Sequence, residues 1–167
     1  MSALPALVSV DEYLRTVYEP DCDYVDGVVE ERNVGEKSHA KVQRRLTRYL
    51  EDNYSAFFAI QETRLQVSKT RFRVPDVCLV AGPEPDEEIF THPPFLCVEV
   101  LSPEDRMSRM LIKIADYLAF GVPYVWVVDP RTRKAWIHTA AGMHEVLDGV
   151  LHTENPNIAV PLNDLFV

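Results

Sequence analysis

The sequence predicts an α/β (α+β) fold in which a mixed β-sheet is flanked by helices. Two apolar runs of strand length, 95–101 and 124–128, enclose a helical stretch, and a strand–helix–strand unit implies a parallel pair with a right-handed crossover. Two further β stretches, 57–67 and 72–80, meet at the turn Ser68-Lys69-Thr70 and read as antiparallel. The stretch 38–53 repeats Val42, Leu46, Tyr49 and Leu50 at helical spacing, so one of its faces is expected to lie on the sheet.

Ser9-Val10-Asp11-Glu12 is a capping box and predicts a short helix to about Val17. Asp26-Gly27 between Asp23-Tyr24-Val25 and Val28-Val29-Glu30 is a two-residue hairpin turn. The acidic, proline-rich segment 82–94 reads as a solvated loop. Ser102-Pro103-Glu104-Asp105 resembles a helix start, and Gly121 before Pro123 ends that helix. Its apolar stripe is expected to be Met107, Met110, Leu111, Ile114 and Leu118, with Arg106, Arg109, Lys113 and Tyr117 on an adjacent stripe. The stretches 135–139 and 144–147 form a hairpin-like tail.

A chain of 167 residues suits one domain, 1–167, with a real core. No apolar run nears the roughly 20 residues of a membrane helix, and 1–10 lacks a basic leader region. Cys22, Cys78 and Cys97 lack metal-ligand spacing, and two of them sit in apolar runs. Buried thiols in a reducing, cytoplasmic compartment are therefore expected, and no membrane partner. The net charge of -9 argues against a broad nucleic-acid surface but leaves room for a basic cleft. The positive charge is clustered, as in Lys41, Arg44, Arg45 and Arg48, and again in Lys69, Arg71 and Arg73.

Two carboxylates stand where burial makes them costly. Glu99 interrupts Phe95-Leu96-Cys97-Val98, and Asp76 lies in Val74-Pro75-Asp76-Val77-Cys78. If these strands are neighbours, Asp76 and Glu99 converge and call for a cation between them. Mg2+ suits such oxygen donors, and the Val100 carbonyl could add a ligand. The helix after the Glu99 strand packs back across the sheet, which brings Lys113 within reach. A metal with a lysine is suited to phosphodiester hydrolysis. Each residue also has a plainer reading. Glu99 could form a structural ion pair, Asp76 could end a strand, and Lys113 and His39 could be solvated. Asp23 could support the Asp26-Gly27 turn, and the basic face of 41–48 could simply meet water.

Val74-Pro75-Asp76, Val98-Glu99-Val100-Leu101-Ser102-Pro103, Lys113, Tyr117, Gly121-Val122 and Trp126-Val127-Val128-Asp129-Pro130 resemble the PD-(D/E)xK nuclease superfamily. More narrowly, they are similar to its large bacterial family of restriction endonuclease-like proteins, from about Ser9 to Phe166. The resemblance implies a restriction endonuclease-like core, Mg2+ (or Mn2+) held by Asp76 and Glu99, a DNA substrate and a homodimer. The superfamily lysine position is Leu101 here, and the family supplies the lysine from the next helix, at Lys113. An acidic residue four positions earlier is replaced by Arg109. The family's glutamate before the hairpin falls on Asp23, and its helix histidine on His39. Candidate phosphate contacts are Arg44, Arg45, Arg48, Arg71, Arg73 and Arg109. The expected function is a Mg2+-dependent DNA endonuclease. The alternative is an inactive nucleic-acid-binding or regulatory, dimeric interaction module on the same fold.

Overall fold

The structure, a computed structural model, describes residues 3–167. Met1 and Ser2, where the stretch read as lacking a leader begins, lie outside the described residues. Helix α1 is Val10–Arg15, and Ser9 Oγ accepts the Glu12 N–H at 3.1 Å as the capping box requires. Strands β1 (Asp23–Val25) and β2 (Val28–Glu30) form the expected hairpin. Asp26 and Gly27 have φ of 49° and 95°, the left-handed conformation that such a turn demands. Helix α2 is Lys37–Asn53.

The next β stretches are each broken in two. They give β3 (Phe57–Gln61), β4 (Leu65–Ser68), β5 (Arg71–Arg73) and β6 (Val77–Ala81), rather than two long strands. Glu62 takes φ of 53° and its N–H bonds the Pro75 carbonyl at 3.2 Å, so both long runs bend at the same level. Pro75 itself has no N–H to continue a ladder. The outer halves leave the main sheet and join the hairpin in a four-stranded sheet ordered β2-β1-β5-β4.

Strand β7 (Leu96–Val100) leads to α3 (Met107–Phe120) and β8 (Tyr124–Asp129). Then follow β9 (Lys134–Thr139), β10 (Gly142–Glu145), β11 (Val150–His152), β12 (Ala159–Pro161) and α4 (Leu162–Phe166). The main sheet has six strands ordered β10-β9-β8-β7-β6-β3. Strands β7 and β8 are parallel and the other pairs antiparallel, which makes the sheet mixed as expected. The start of α3 differs from expectation. The Ser102 N–H bonds Asp105 Oδ2 at 2.7 Å, so Ser102 to Asp105 form a turn and the helix opens only at Met107.

Period-two alternation in β7 assigns its two faces. Val98 and Val100 pack with Val42, Leu46 and Leu50 of α2, and with Leu151, Val160 and Leu165 from the last elements. Cys97 packs with Cys78 and with Met110, Ile114 and Tyr117 of α3. Glu99 lies on the α3 side. The buried stripe of α3 is therefore Met110, Lys113, Ile114 and Tyr117, while Met107 and Leu111, expected in it, are half-exposed.

Candidate active site

Strands β6 and β7 pair with Val77 opposite Val98. Continuing that register by one residue sets Asp76 opposite Glu99. Both are buried, at 3% exposure each, and both line one pocket with Asp23, Val100 and Lys113. The sequence-proposed residues thus come together at the end of the β6–β7 ladder, beneath the N-terminal half of α3.

Asp76 is held on three sides. Arg32 Nη2 is 2.8 Å from Oδ1, His39 Nε2 is 3.2 Å from Oδ2, and the Val100 N–H donates to Oδ2 at 2.7 Å. Gln43 Nε2 donates to its backbone carbonyl at 2.9 Å. Burial alone would raise the Asp76 pKa, but His39, Arg32 and Lys113 outweigh it and hold it below the usual carboxylate range. Burial would likewise lower the His39 pKa; its bond to Asp76 holds it above the usual histidine value.

Glu99 has a different setting. Tyr117 donates to Oε1 at 2.6 Å and Lys113 Nζ is 3.0 Å from the same oxygen. Burial pushes its carboxyl up to about 7, with Lys113 opposing and Asp76 assisting. The two facing carboxyls are therefore set apart, Asp76 held below the usual range and Glu99 raised above it by burial. Lys113 also donates to the Val74 carbonyl at 3.1 Å and lies 3.3 Å from Asp23 Oδ2. Burial would lower its pKa, but Asp23 and Glu99 outweigh that and keep it charged.

Asp23 stands on the lysine side. Its Oδ1 accepts the Val74 N–H at 2.8 Å, and its Oδ2 is 3.2 Å from Arg73. It supports neither the Asp26-Gly27 turn nor Asp76; it positions Lys113. Arg73, expected to meet phosphate, is corrected by its burial. At 2% exposure its fork is taken up by Asp23, Glu30 and Asp116. Arg71 is divided between Asp26 and Asp116, each at 2.8 Å. Arg44 and Arg48 are exposed on α2 and Arg45 is half-buried. Arg109 lies on the pocket rim, half-exposed and 3.3 Å from Glu30.

Two contributors, Arg32 and Gln43, escape a reading of the sequence, and a third, Tyr117, is placed there on the stripe of Lys113 without a role at Glu99. Arg32 follows Glu30 and Glu31 at the end of the hairpin, with nothing local to mark it, and its partner lies far along the chain. Gln43 looks like a polar helix position. Tyr117 carries a usable signal, since it stands four residues after Lys113 on the same helix face.

The donor set fits a hard divalent cation. Two carboxylates face each other beside the Val100 backbone, and Mg2+ is bound by one or two carboxylates together with waters and substrate oxygens. The Val100 N–H donates to Asp76 Oδ2, so Val100 lies against the carboxylate pair. Among the described residues no group of three or more His, Cys, Asp or Glu forms a metal cage.

The mixed sheet with a carboxylate pair and a lysine at one strand end defines a restriction endonuclease-like protein. Residues 10–162 match the family Uma2, described as "Putative restriction endonuclease", and the chain belongs to that family. It is also similar to a solved structure from Anabaena variabilis, titled a "putative nuclease belonging to DUF820". That likeness has a TM-score of 0.79 at 18% identity and covers 95% of this chain and 97% of the other, which shows a shared fold. No curated protein matches the chain.

Proposed function

We propose that the protein is a divalent-cation-dependent DNA endonuclease, with Asp76, Glu99 and Lys113 as its reactive set. The observation that carries this reading is their convergence on one pocket, from the bend before β6, from β7 and from α3. Family membership supports it.

Asp76 and Glu99, with the Val100 carbonyl, would hold Mg2+ (or Mn2+). When bound, the ion would polarise a phosphate oxygen and lower the pKa of a water. Lys113 stays an ammonium, so it acts as a fixed cation that orients the attacking water and offsets charge on the phosphate. It does not serve as a base. Asp23 and the Val74 carbonyl hold Nζ in place. Asp76 remains ionised and would be the anionic ligand at hand, and Glu99 would join it as a carboxylate. Arg109 at the rim, and Arg44 and Arg48 on α2, are the phosphate contacts this reading keeps. A homodimer, as the family resemblance implies, would have a candidate face in the exposed Met107, Leu111 and Ile112 of α3.

The test is nicking of supercoiled plasmid with Mg2+ or Mn2+. Activity is expected in the wild type, with losses of at least about 100-fold in Asp76→Asn and Glu99→Gln, the scale of removing a preorganised electrostatic group. Cleavage retained by both variants, or no cleavage together with no Mn2+ binding, would contradict the proposal. The internal pairing of Asp76 with Arg32 and His39 favours a second reading, an inactive nucleic-acid-binding module. That reading expects DNA binding without turnover and without sensitivity to Glu99→Gln.

A further inference from the structure

Asp76 already has a cation. The Arg32 side chain is 6% exposed, with Nη2 2.8 Å from Asp76 Oδ1 and 3.8 Å from Glu62 Oε1. Its main chain belongs to the segment between β2 and α2, and that segment is pinned one residue further on. Ser102 Oγ donates to the Asn33 carbonyl at 2.7 Å, and Asn33 Nδ2 donates to Asp105 Oδ1 at 2.9 Å. The backbone beside Arg32 is thus fixed to the turn before α3. The guanidinium makes one further bond, Nη1 to the Asp21 carbonyl at 3.4 Å, so a change of partner is a movement of the Arg32 side chain.

A guanidinium and a divalent ion repel each other and compete for the same carboxylate oxygen in a buried pocket. A phosphodiester entering the pocket offers the planar fork a bidentate partner of matching geometry. We infer that Arg32 is a substrate-coupled latch, which occupies Asp76 in the free protein and passes to a backbone phosphate as the divalent ion takes Asp76. The inference rests on the proposed metal-dependent reading and adds a consequence to it. Cation and nucleic acid bind cooperatively, because each draws Arg32 away from Asp76 Oδ1 while His39 stays on Oδ2.

The experiment is Mn2+ binding followed by electron paramagnetic resonance. The wild type and Arg32→Gln are each titrated alone and with a phosphorothioate duplex that resists cleavage. Without duplex, Arg32→Gln is expected to bind Mn2+ at least about tenfold more tightly than the wild type, since one competing charge has gone. The gain in affinity given by the duplex is expected to shrink in the variant. Equal or weaker Mn2+ binding by the variant overturns the latch while leaving the metal site standing. Absence of Mn2+ binding to both proteins at saturating concentration overturns the metal reading itself. Arg32→Lys keeps the buried charge and the fold but removes the fork. It should bind Mn2+ alone like the wild type and lose much of the duplex-induced gain; an undiminished gain in that variant overturns the latch.

Discussion

Glu99 and Asp76 face each other, yet their surroundings set them apart. Asp76 has two cationic partners and an N–H, whereas both contacts of Glu99, from Tyr117 and Lys113, fall on one oxygen. The folded Glu99 carboxyl titrates at about 7 against an ordinary 4.5, so between these values the folded protein binds more protons than the unfolded one. The resulting stabilisation is complete below the unfolded pKa and is lost as pH rises through the folded one. Wild type is therefore expected to lose stability relative to Glu99→Gln between about pH 4.5 and 7, measured by urea unfolding. A difference constant across that window would contradict the assignment. Tyr117→Phe leaves a buried carboxylate short of a donor, and a loss of about 1–3 kcal/mol is expected in the same assay. The Glu99 anomaly was legible because a charge inside an apolar strand needs a reason. Arg32 was not, since nothing local distinguishes an arginine that reaches a partner 44 residues away.

At the scale of elements, local chemistry was read correctly where it decides the outcome. Ser9 caps α1, Asp26-Gly27 turns the first hairpin, and Gly121 ends α3 in the left-handed conformation at φ 111°. A Cβ at Gly121 would meet Pro93 Cγ at 3.3 Å, so the site is both strained and confined for any side chain. Gly121→Ala is expected to cost about 1–3 kcal/mol, seen as a lower thermal midpoint, and an unchanged midpoint would contradict this. Apart from the local turn at Ser102 to Asp105, the departures arise where tertiary structure decides. The breaks at Glu62 and Pro75 split two continuous β runs between two sheets. Strands β11 and β12, three residues each, are too short to show a period, and their pairing and packing on the α2 side define them.

At the scale of the molecule, the architecture explains why the site forms where it does. Helices α2 and α3 pack on opposite faces of the β6–β7 ladder, and that ladder ends at Asp76 and Glu99. His39 and Gln43 reach Asp76 from α2; Lys113 and Tyr117 reach Glu99 from α3. The strand–helix–strand order was visible in the sequence, and with it the approach of Lys113 to Glu99. The exposed Met107, Leu111 and Ile112 suggest where a second copy would dock, and light scattering of the purified chain should give twice the monomer mass. A monomer at micromolar concentration would remove the dimer from the account. Joint binding of a divalent ion by Asp76 and Glu99 beside Lys113 is checked by anomalous scattering from crystals saturated with Mn2+. A peak is expected within about 2.0–2.6 Å of an oxygen of each carboxylate, the range of hard cation–oxygen bonds. A peak held by other residues, or no peak while Arg32 still covers Asp76, would contradict it.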